Sequence, residues 1–209
     1  RMKKFALWVV LALLIPLQAS AAVKWEEGKH YEEIDKPLSD SPQVVEFFSY
    51  WCPHCYRTEP FVAELKKSLD EGVKFEKVHV NFMPYASQEV QDEVTTGMLI
   101  AKALKQEDKL SAAIFNYIHK QRATITGMKD IRNIFIINGV DSAKFDKLAK
   151  SFGVKSMLGK NNKVVEDYRR EVRSVPTFIV NGKYKVQIGR DLTPTERLEL
   201  FNYLAAKRD

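Results

Sequence analysis

The sequence predicts an α/β fold whose β-sheet is built from two separated parts of the chain. An apolar strand, a helix and a second strand follow one another over residues 44–82. Residues 87–168 show helical periodicity without a good strand pattern, whereas residues 177–204 return to strand, hairpin turn, strand and helix. We therefore expect a β-α-β half and a β-β-α half that flank a large, all-helical insertion.

The N-terminal segment is predicted to be a secretory signal peptide. Lys3 and Lys4 precede an uncharged, mainly apolar run from Phe5 to Leu17, and small residues follow it. This order is typical of a leader that signal peptidase removes, here after Ala21. The run is too short to span about 30 Å of hydrocarbon comfortably, which disfavours a membrane anchor. Export would place the remaining chain in an oxidising compartment.

The composition excludes several classes of protein. Of the 209 residues, 45% are apolar and 29% are charged, as in a folded, soluble protein of one domain or of one domain with an insertion. Without the predicted leader, 30 basic residues face 27 acidic ones. A net charge of +3 gives little reason to expect nucleic-acid binding. Two cysteines are too few for a disulfide-stapled mini-protein.

The first half of the sheet is predicted from three strand segments and one helix. Residues 31–34 form a weak strand, and residues 44–48 a strong one that is apolar on both faces, as in a central strand. A helix follows from about residue 53 to 69, with apolar side chains every four positions, and Gly72 ends it. Residues 74–82 alternate as the next strand, which favours parallel pairing and a right-handed crossover.

Five helices are predicted in the middle of the chain. The first three carry apolar stripes, and Gly139 ends the third as the residue after its C-cap. The fourth begins at Asp141, turns Phe152 inward and ends at Gly153, and the fifth is longer and more polar. Their approximate bounds are 90–104, 110–118, 131–138, 141–153 and 155–172.

The C-terminal part returns to β structure. Residues 177–180 are predicted to form a strand, Asn181-Gly182 a two-residue hairpin turn, and residues 184–188 the partner strand. Residues 193–196 form a capping box with proline at the first helical position. This box opens a final helix with an apolar face that extends to Leu204.

Cys52-Pro53-His54-Cys55 is the strongest functional signal in the sequence. The two cysteines stand where the strong strand passes into the first helix, and two intervening residues let their sulfurs meet in a small ring. The unpaired N–H groups and positive dipole end of the helix favour a thiolate at Cys52, to which His54 can add a positive charge or a hydrogen bond. We expect an exposed Cys52 to attack or be attacked, and a less exposed Cys55 to resolve the mixed disulfide.

Other uses of these residue types are disfavoured. A structural disulfide would gain little loop-closure entropy from so short a ring. A zinc site needs about four ligands, and there is no second cysteine pair, so we expect no metal. His30, His79 and His119 have no partner visible in the sequence and are interpreted as structural.

Val175-Pro176 is a second feature of the candidate site. Pro176 precedes the strand that begins at Thr177, and proline cannot donate to a strand ladder, so it suits a sheet edge or a cis turn. Taken alone, this proline is equally well explained as a residue that only marks the start of the strand. Beside a redox elbow, Val175-Pro176 is interpreted as the loop that faces the cysteines.

Glu46 is a third feature. It is a carboxylate inside the most apolar strand, a costly position unless the group is paired or protonated. The strand precedes Cys52 by a few residues, which places Glu46 beneath the elbow, and Lys77 on the next strand is its predicted partner. The alternative is a solvent-facing Glu46 on an edge strand.

These segments resemble the DsbA family of periplasmic thiol:disulfide oxidoreductases. The resemblance covers essentially the whole chain after the leader and is carried by residues 45–56 with the C-P-H-C motif, and by 79–83, 131–132, 175–176 and 180–184. It implies a thioredoxin fold with a large inserted all-helical domain. The thioredoxin-like domain would comprise residues 22–83 and 164–209, and the insertion residues 84–163.

The resemblance also implies a role for each site residue. Cys52 would be the nucleophile and Cys55 the resolving cysteine, within a catalytic motif that Pro53 and His54 complete. Trp51 stands where phenylalanine is common in the family, a departure that bears on partner preference. Trp51, Val175 and Pro176 would bind substrate, and Val175-Pro176 would form a cis-proline loop. Glu46 and Lys77 would form a buried charge pair that tunes the pKa values of the cysteines.

The implied function is disulfide donation in the periplasm. The protein would pass the Cys52–Cys55 disulfide to reduced exported polypeptides as a monomer, with no cofactor, and a DsbB-like membrane quinone reductase would reoxidise it. A disulfide isomerase or reductase is one alternative. Isomerases of this superfamily resemble dimers with an extra N-terminal domain, for which the roughly 20 residues between the predicted cleavage site and the first strong strand leave no room. A non-redox, chaperone-like binding module is the other, and the intact cysteine pair argues against it.

Overall fold

A computed structural model describes residues 24–208 and contains one mixed, five-stranded sheet. The predicted signal peptide, residues 1–21, lies outside the described residues. The strands are β1 (Tyr31–Glu33), β2 (Gln43–Phe48), β3 (Lys74–His79), β4 (Thr177–Val180) and β5 (Tyr184–Val186). The helices are α1 (Pro53–Ser68), α2 (Gln88–Ala103), α3 (Glu107–His119), α4 (Met128–Ile137), α5 (Ser142–Lys150), α6 (Phe152–Asp167) and α7 (Pro194–Ala206).

The sheet has the strand order β1-β5-β4-β2-β3. Strand β2 pairs in parallel with β3 and antiparallel with β4, so the prediction of a central, doubly buried β2 that is parallel to the next strand is confirmed. The register places Glu46 opposite Lys77, and Phe48 opposite His79. Because side chains of paired residues point to the same face, this register already brings the carboxylate and the ammonium group together.

The five helices α2–α6 all lie between β3 and β4 in the chain, as predicted. They share one core with the sheet half, because Phe48, Tyr50 and Cys55 pack in the same buried cluster as Ile114 and Phe115 of α3. The active-site elbow and the helical insertion therefore exclude water from each other. Within residues 24–208, no helix is both long and apolar enough to cross a membrane.

Several sequence predictions about element ends are wrong. Strand β5 ends at Val186 and not at residue 188, and the fifth inserted helix ends at Asp167 and not at residue 172. Phe152 does not turn inward at the end of the fourth helix, because 86% of it is exposed. Helix α5 stops at Lys150, and the Ser151 side chain accepts a hydrogen bond from the N–H of Val154 and so begins α6 three residues earlier than expected. Strand β3 is shorter than predicted and ends at His79, and beyond it the Asn81 side chain donates to Asp92 at 2.8 Å.

The hairpin between β4 and β5 turns at Asn181-Gly182, as predicted, but Val180 pairs with Tyr184, so three residues connect the strands. Asn181 and Gly182 both have positive φ, 51° and 73°, which matches the type I′ turn that joins twisted antiparallel strands. The buried Asn181 side chain also fixes the end of the chain. Its Nδ2 lies 2.9–3.0 Å from the carbonyl oxygens of Leu204, Ala205 and Lys207, and its Oδ1 accepts from the N–H of Gln43 at 3.1 Å.

We expect Asn181→Gly to lower the free energy of unfolding by about 2 kcal/mol. Glycine keeps the left-handed turn but leaves buried carbonyl and N–H groups without their side-chain partner. Urea denaturation of the variant and the parent chain measures this loss. A decrease below about 0.5 kcal/mol would show that these hydrogen bonds do not hold α7 against the sheet.

Candidate active site

The two cysteines lie in the elbow between β2 and α1. Cys52 is the N-cap residue of α1, and its Sγ accepts a hydrogen bond from the N–H of Cys55 at 3.1 Å. Pro53 follows at the first helical position, where a missing N–H leaves no helical bond unmade. A sulfur atom thus takes the place where a serine or aspartate oxygen usually caps a helix, facing the positive end of the helix dipole.

The pair is electrostatically asymmetric. A hydrogen bond from the Cys55 thiol outweighs the effect of burial and lowers the pKa of Cys52 to about 6, and the N–H groups of Cys55 and His54 and the charge of His54 act in the same direction. The same hydrogen bond, together with burial, raises the pKa of Cys55. At neutral pH Cys52 is therefore mostly a thiolate, whereas Cys55 keeps its proton.

The expectation that Cys52 is exposed is wrong. Only 5% of it is accessible, and Cys55 is fully buried, as predicted for the second cysteine. The Val175–Pro176 loop lies against Cys52: the Val175 carbonyl oxygen is 3.4 Å from the Cys52 sulfur and can accept a hydrogen bond from it when the thiol is protonated. The Val175–Pro176 peptide bond is cis, so the prediction that this loop faces the cysteines with a cis proline is confirmed.

Glu46 and Lys77 form the predicted ion pair beneath the elbow. Glu46 is fully buried, and its Oε2 lies 3.1 Å from Nζ of Lys77, which excludes the alternative of a solvent-facing carboxylate. Burial raises the pKa of Glu46 to about 7, against the opposing effect of the Lys77 ammonium. Lys77 also donates to Glu59, a third member that sequence reasoning missed.

The helical insertion contributes contacts to the elbow that no sequence pattern indicated. Nε2 of His119 lies 2.7 Å from the Tyr50 carbonyl oxygen, and because a carbonyl can only accept, this nitrogen donates. The His119 ring stacks on Tyr56, whose hydroxyl donates to Asn116 at 3.1 Å. The Tyr50 hydroxyl contacts Ser111 at 3.0 Å. His119 is thus structural, as interpreted from the sequence, and its side chain holds the backbone two residues before Cys52.

His79 is buried beside the elbow in the neutral form. Thr95 donates its hydroxyl to the Gln91 carbonyl, so its oxygen accepts from Nδ1 of His79 at 2.7 Å. Burial, reinforced by the Lys77 charge, lowers the pKa of His79 to about 3. Its Nε2 has no hydrogen-bond partner among residues 24–208, where no cluster of cysteine, histidine and carboxylate side chains could hold a metal ion either.

The structure brings most of the predicted site residues together. His54 and Pro176 both line one groove beside the cysteines. Trp51 is half-buried, with its ring centroid 6.0 Å from that of His79, and is not among the residues that line this groove. Its predicted contact with substrate therefore stays a prediction.

Comparison with known proteins agrees with this geometry. A family model described as a DSBA-like thioredoxin domain matches residues 43–204. The chain is 39% identical over 188 residues to the thiol:disulfide interchange protein DsbA of Escherichia coli K12, which covers 88% of this chain and 86% of the relative. The DsbA of Salmonella typhimurium is 36% identical over the same shares of both chains.

Solved structures show the same fold. The crystal structure of DsbA from Proteus mirabilis superposes with a TM-score of 0.77 at 32% identity, covering 88% of this chain and 98% of the other. A complex of that protein's cysteine-to-serine variant with a non-covalently bound, cysteine-containing peptide gives a TM-score of 0.76. DsbA from Pseudomonas aeruginosa gives 0.73 at 30% identity, covering 87% and 93%.

A thioredoxin fold with a helical insertion, which carries a C-x-x-C pair at a helix N-terminus, defines a thiol:disulfide oxidoreductase. The predicted fold class and enzyme class are therefore confirmed. The chain belongs to the DsbA family.

Proposed function

We propose that this protein donates its Cys52–Cys55 disulfide to reduced polypeptides that have been exported to the periplasm. The observation that carries the proposal is the asymmetry of the cysteine pair, with the pKa of Cys52 lowered to about 6 and that of Cys55 raised. A thiol of low pKa leaves readily from a mixed disulfide, so a bond through Cys52 is easily transferred to another protein.

The reaction balances over two exchange steps. A substrate thiolate attacks Sγ of Cys52, the Cys52–Cys55 bond breaks, and Cys55 leaves and takes up a proton. A second substrate thiolate then attacks the substrate sulfur of the mixed disulfide and releases Cys52 as a thiolate. Two electrons have passed from the substrate dithiol to the enzyme, and the proposed DsbB-like membrane quinone reductase removes them.

The surrounding residues support these steps. The N–H of Cys55 stabilises the released Cys52 thiolate, Pro53 begins the helix that supplies this N–H, and His54 adds charge. Glu46 and Lys77 place a charge pair beneath the elbow, and the negative charge of Glu46 helps to keep Cys55 protonated. We assign substrate contact to Trp51, Val175 and Pro176; the related Proteus mirabilis protein binds a peptide non-covalently.

The domain assignment is part of this proposal. Residues 1–21 would be removed on export, residues 22–83 and 164–209 would form the thioredoxin-like domain, and residues 84–163 the inserted domain. Helix α6 crosses the last of these boundaries and packs on both the insertion helix α2 and strand β3, so it joins the two parts. We expect a monomer.

Incubation of the oxidised protein with a reduced, unfolded test protein that has two cysteines tests the proposal. We expect one disulfide to be transferred per enzyme molecule. Cys52→Ser cannot form the Cys52–Cys55 disulfide and should transfer none. When the variants are instead incubated with the oxidised, disulfide-bonded test protein, Cys55→Ala should accumulate a mixed disulfide through Cys52. The Cys52 thiolate attacks the substrate disulfide and releases one substrate thiolate, and no resolving thiol is present to break the new bond. Mass spectrometry of acid-quenched samples identifies each species.

Two results would contradict the proposed roles. A mixed disulfide through Cys55 in the Cys52→Ser variant would reverse the assignment of the two cysteines. Transfer of electrons in the opposite sense, with the reduced protein cleaving insulin disulfides faster than the oxidised protein forms new ones, would indicate a reductase.

A further inference from the structure

An open groove of about 660 Å³ runs beside the cysteine pair. It lies between the start of α1, the Val175–Pro176 loop and residues 185–190. Its apolar lining includes Phe61, Val186 and Ile188, and 37% of Ile188 is exposed although the side chain is large and apolar. An extended segment of a substrate can therefore place one apolar side chain here while its cysteine reaches Cys52.

The charged residues of the groove all have the same sign. Arg57, Lys185, Arg190 and Arg197 line it, and none of its described lining residues is acidic. The overall excess of basic residues in the chain is small. The cations are thus concentrated in the groove that His54 and Pro176, the neighbours of the cysteines, also line.

Three of these cations have no carboxylate partner. Among residues 24–208, no carboxylate pairs with Arg57, Arg190 or Arg197, and the Arg197 side chain donates to the backbone carbonyl of Leu192 at 3.2 Å. Lys185 has one distant partner, Glu32, at 3.9 Å.

The carboxylates nearest in the chain form no ion pair with these arginines. Glu59, two residues after Arg57, pairs with Lys77. Asp191, next to Arg190, lies 3.8 Å from Lys29, and its carboxylate stands against Gly189 of the groove lining, so a counter-charge is close to Arg190 but not to Arg57. Charges that face a concave, partly apolar surface without counter-charges attract ions of opposite sign more strongly than charges on a flat surface.

We propose that this groove selects substrate segments in which aspartate or glutamate residues flank an apolar side chain near the reacting cysteine. The inference rests on the proposed function and adds a substrate class to it. Arginine forks bind carboxylates with two parallel hydrogen bonds, so Arg57 of α1 and Arg190 of the segment 185–190 can each bind a carboxylate of an acidic segment. The apolar side chains of the lining supply a further contact for the same segment.

Three dithiol peptides test the proposal. They share one sequence with an apolar residue and two cysteines, and carry Glu, Gln or Lys at two positions at least three residues from either cysteine. The second-order rate constant for oxidation of each peptide by the oxidised full-length protein is measured by acid quench and chromatography. At low ionic strength we expect the acidic peptide to react about tenfold faster than the basic one, with the ratio decreasing as salt is added.

Charge-reversal variants locate the effect. Arg57→Glu and Arg190→Glu should each lower the ratio of acidic to neutral peptide rates about threefold or more. Lys144→Glu is the matched control, because it makes the same charge change at an exposed site in the first turn of α5, where a carboxylate is favourable. Dividing by the neutral-peptide rate on the same variant removes any change in the chemistry of the cysteines.

Each outcome decides the question. Equal oxidation rates for the acidic and basic peptides on the parent protein would overturn the proposal. It would also be overturned if Lys144→Glu lowered the ratio of acidic to neutral peptide rates as much as the groove variants do. If the parent protein oxidises all three peptides at the same rate, only this inference fails. If the parent protein oxidises none of the peptides, the proposed function fails with it.

Discussion

The reduced protein is expected to gain about 2.5 kcal/mol of stability relative to the oxidised protein between pH 5 and pH 8. The reason is the Cys52 thiol, whose pKa is about 6 in the folded protein and about 8.5 in an unfolded chain. A depressed pKa stabilises the folded state fully above the unfolded value, and this contribution is lost as the pH falls through about 6. The oxidised protein has no thiolate at this position, so it lacks the effect.

The pH dependence acts against the usual benefit of a disulfide. Closing a ring as small as Cys52 to Cys55 restricts the unfolded chain by about 2 kcal/mol. At pH 5 the oxidised protein should therefore be the more stable form, and at pH 8 the reduced one. The free energies of unfolding of the two forms should cross near neutral pH.

Urea denaturation of both redox forms at several pH values measures this difference directly. The double variant Cys52→Ser, Cys55→Ser, taken through the same oxidising and reducing buffers, is the control and should show a single pH profile. A constant gap between the two forms of the parent protein from pH 5 to pH 8 would show that the Cys52 thiolate is not stabilised by the fold.

Replacing the buried carboxylate of Glu46 is expected to stabilise the protein in a pH-dependent way. Burial raises the pKa of Glu46 to about 7, above its ordinary value of 4.5, although Lys77 opposes the shift. The folded state then holds this proton more tightly than the unfolded state, so stability decreases as the pH rises from about 4.5 through about 7. Glu46→Gln removes this term while Lys77 keeps its partner Glu59.

The gain from Glu46→Gln should be about 2 to 3 kcal/mol larger at pH 8 than at pH 5, because each pKa unit corresponds to about 1.4 kcal/mol. Any fixed cost of burying the amide is the same at both pH values and cancels in the comparison. Glu64→Gln makes the same chemical change at an exposed position of α1 and should shift the curve little. Equal effects of Glu46→Gln at both pH values would mean that Glu46 is not the group that titrates.

Local patterns allowed much of the fold and the centre of the site to be predicted from the sequence. The strands, the Asn181-Gly182 turn and the cysteine elbow depend on neighbours only a few residues apart. Phe152 was misplaced because an apolar periodicity can continue across a helix boundary, and Ser151 looks the same in sequence whether it caps a helix or lies within one.

Most contacts between distant segments could not be read from the sequence. The Val175–Pro176 loop was predicted to face the cysteines, but its burial of Cys52 was not, because Val175 lies 123 residues away. The hydrogen bond from His119 to the Tyr50 carbonyl joins residues 69 positions apart and had no signal. Glu59 carries no signal beyond being one charged residue among several on α1. The pairing of Glu46 with Lys77 was within reach because adjacent parallel strands constrain which residues face each other.

The order of the strands sets when the elbow can be completed during synthesis. Strand β2 lies between β3, which follows it closely in the chain, and β4, which begins only at Thr177. When Cys52 and Cys55 have been synthesised, the growing chain still lacks strand β4, the second neighbour of β2. It also lacks the Val175 carbonyl that covers Cys52. For more than a hundred residues of elongation Cys52 therefore lacks the loop that covers it in the folded enzyme. During this time Cys52 can react as a cysteine of a substrate protein would.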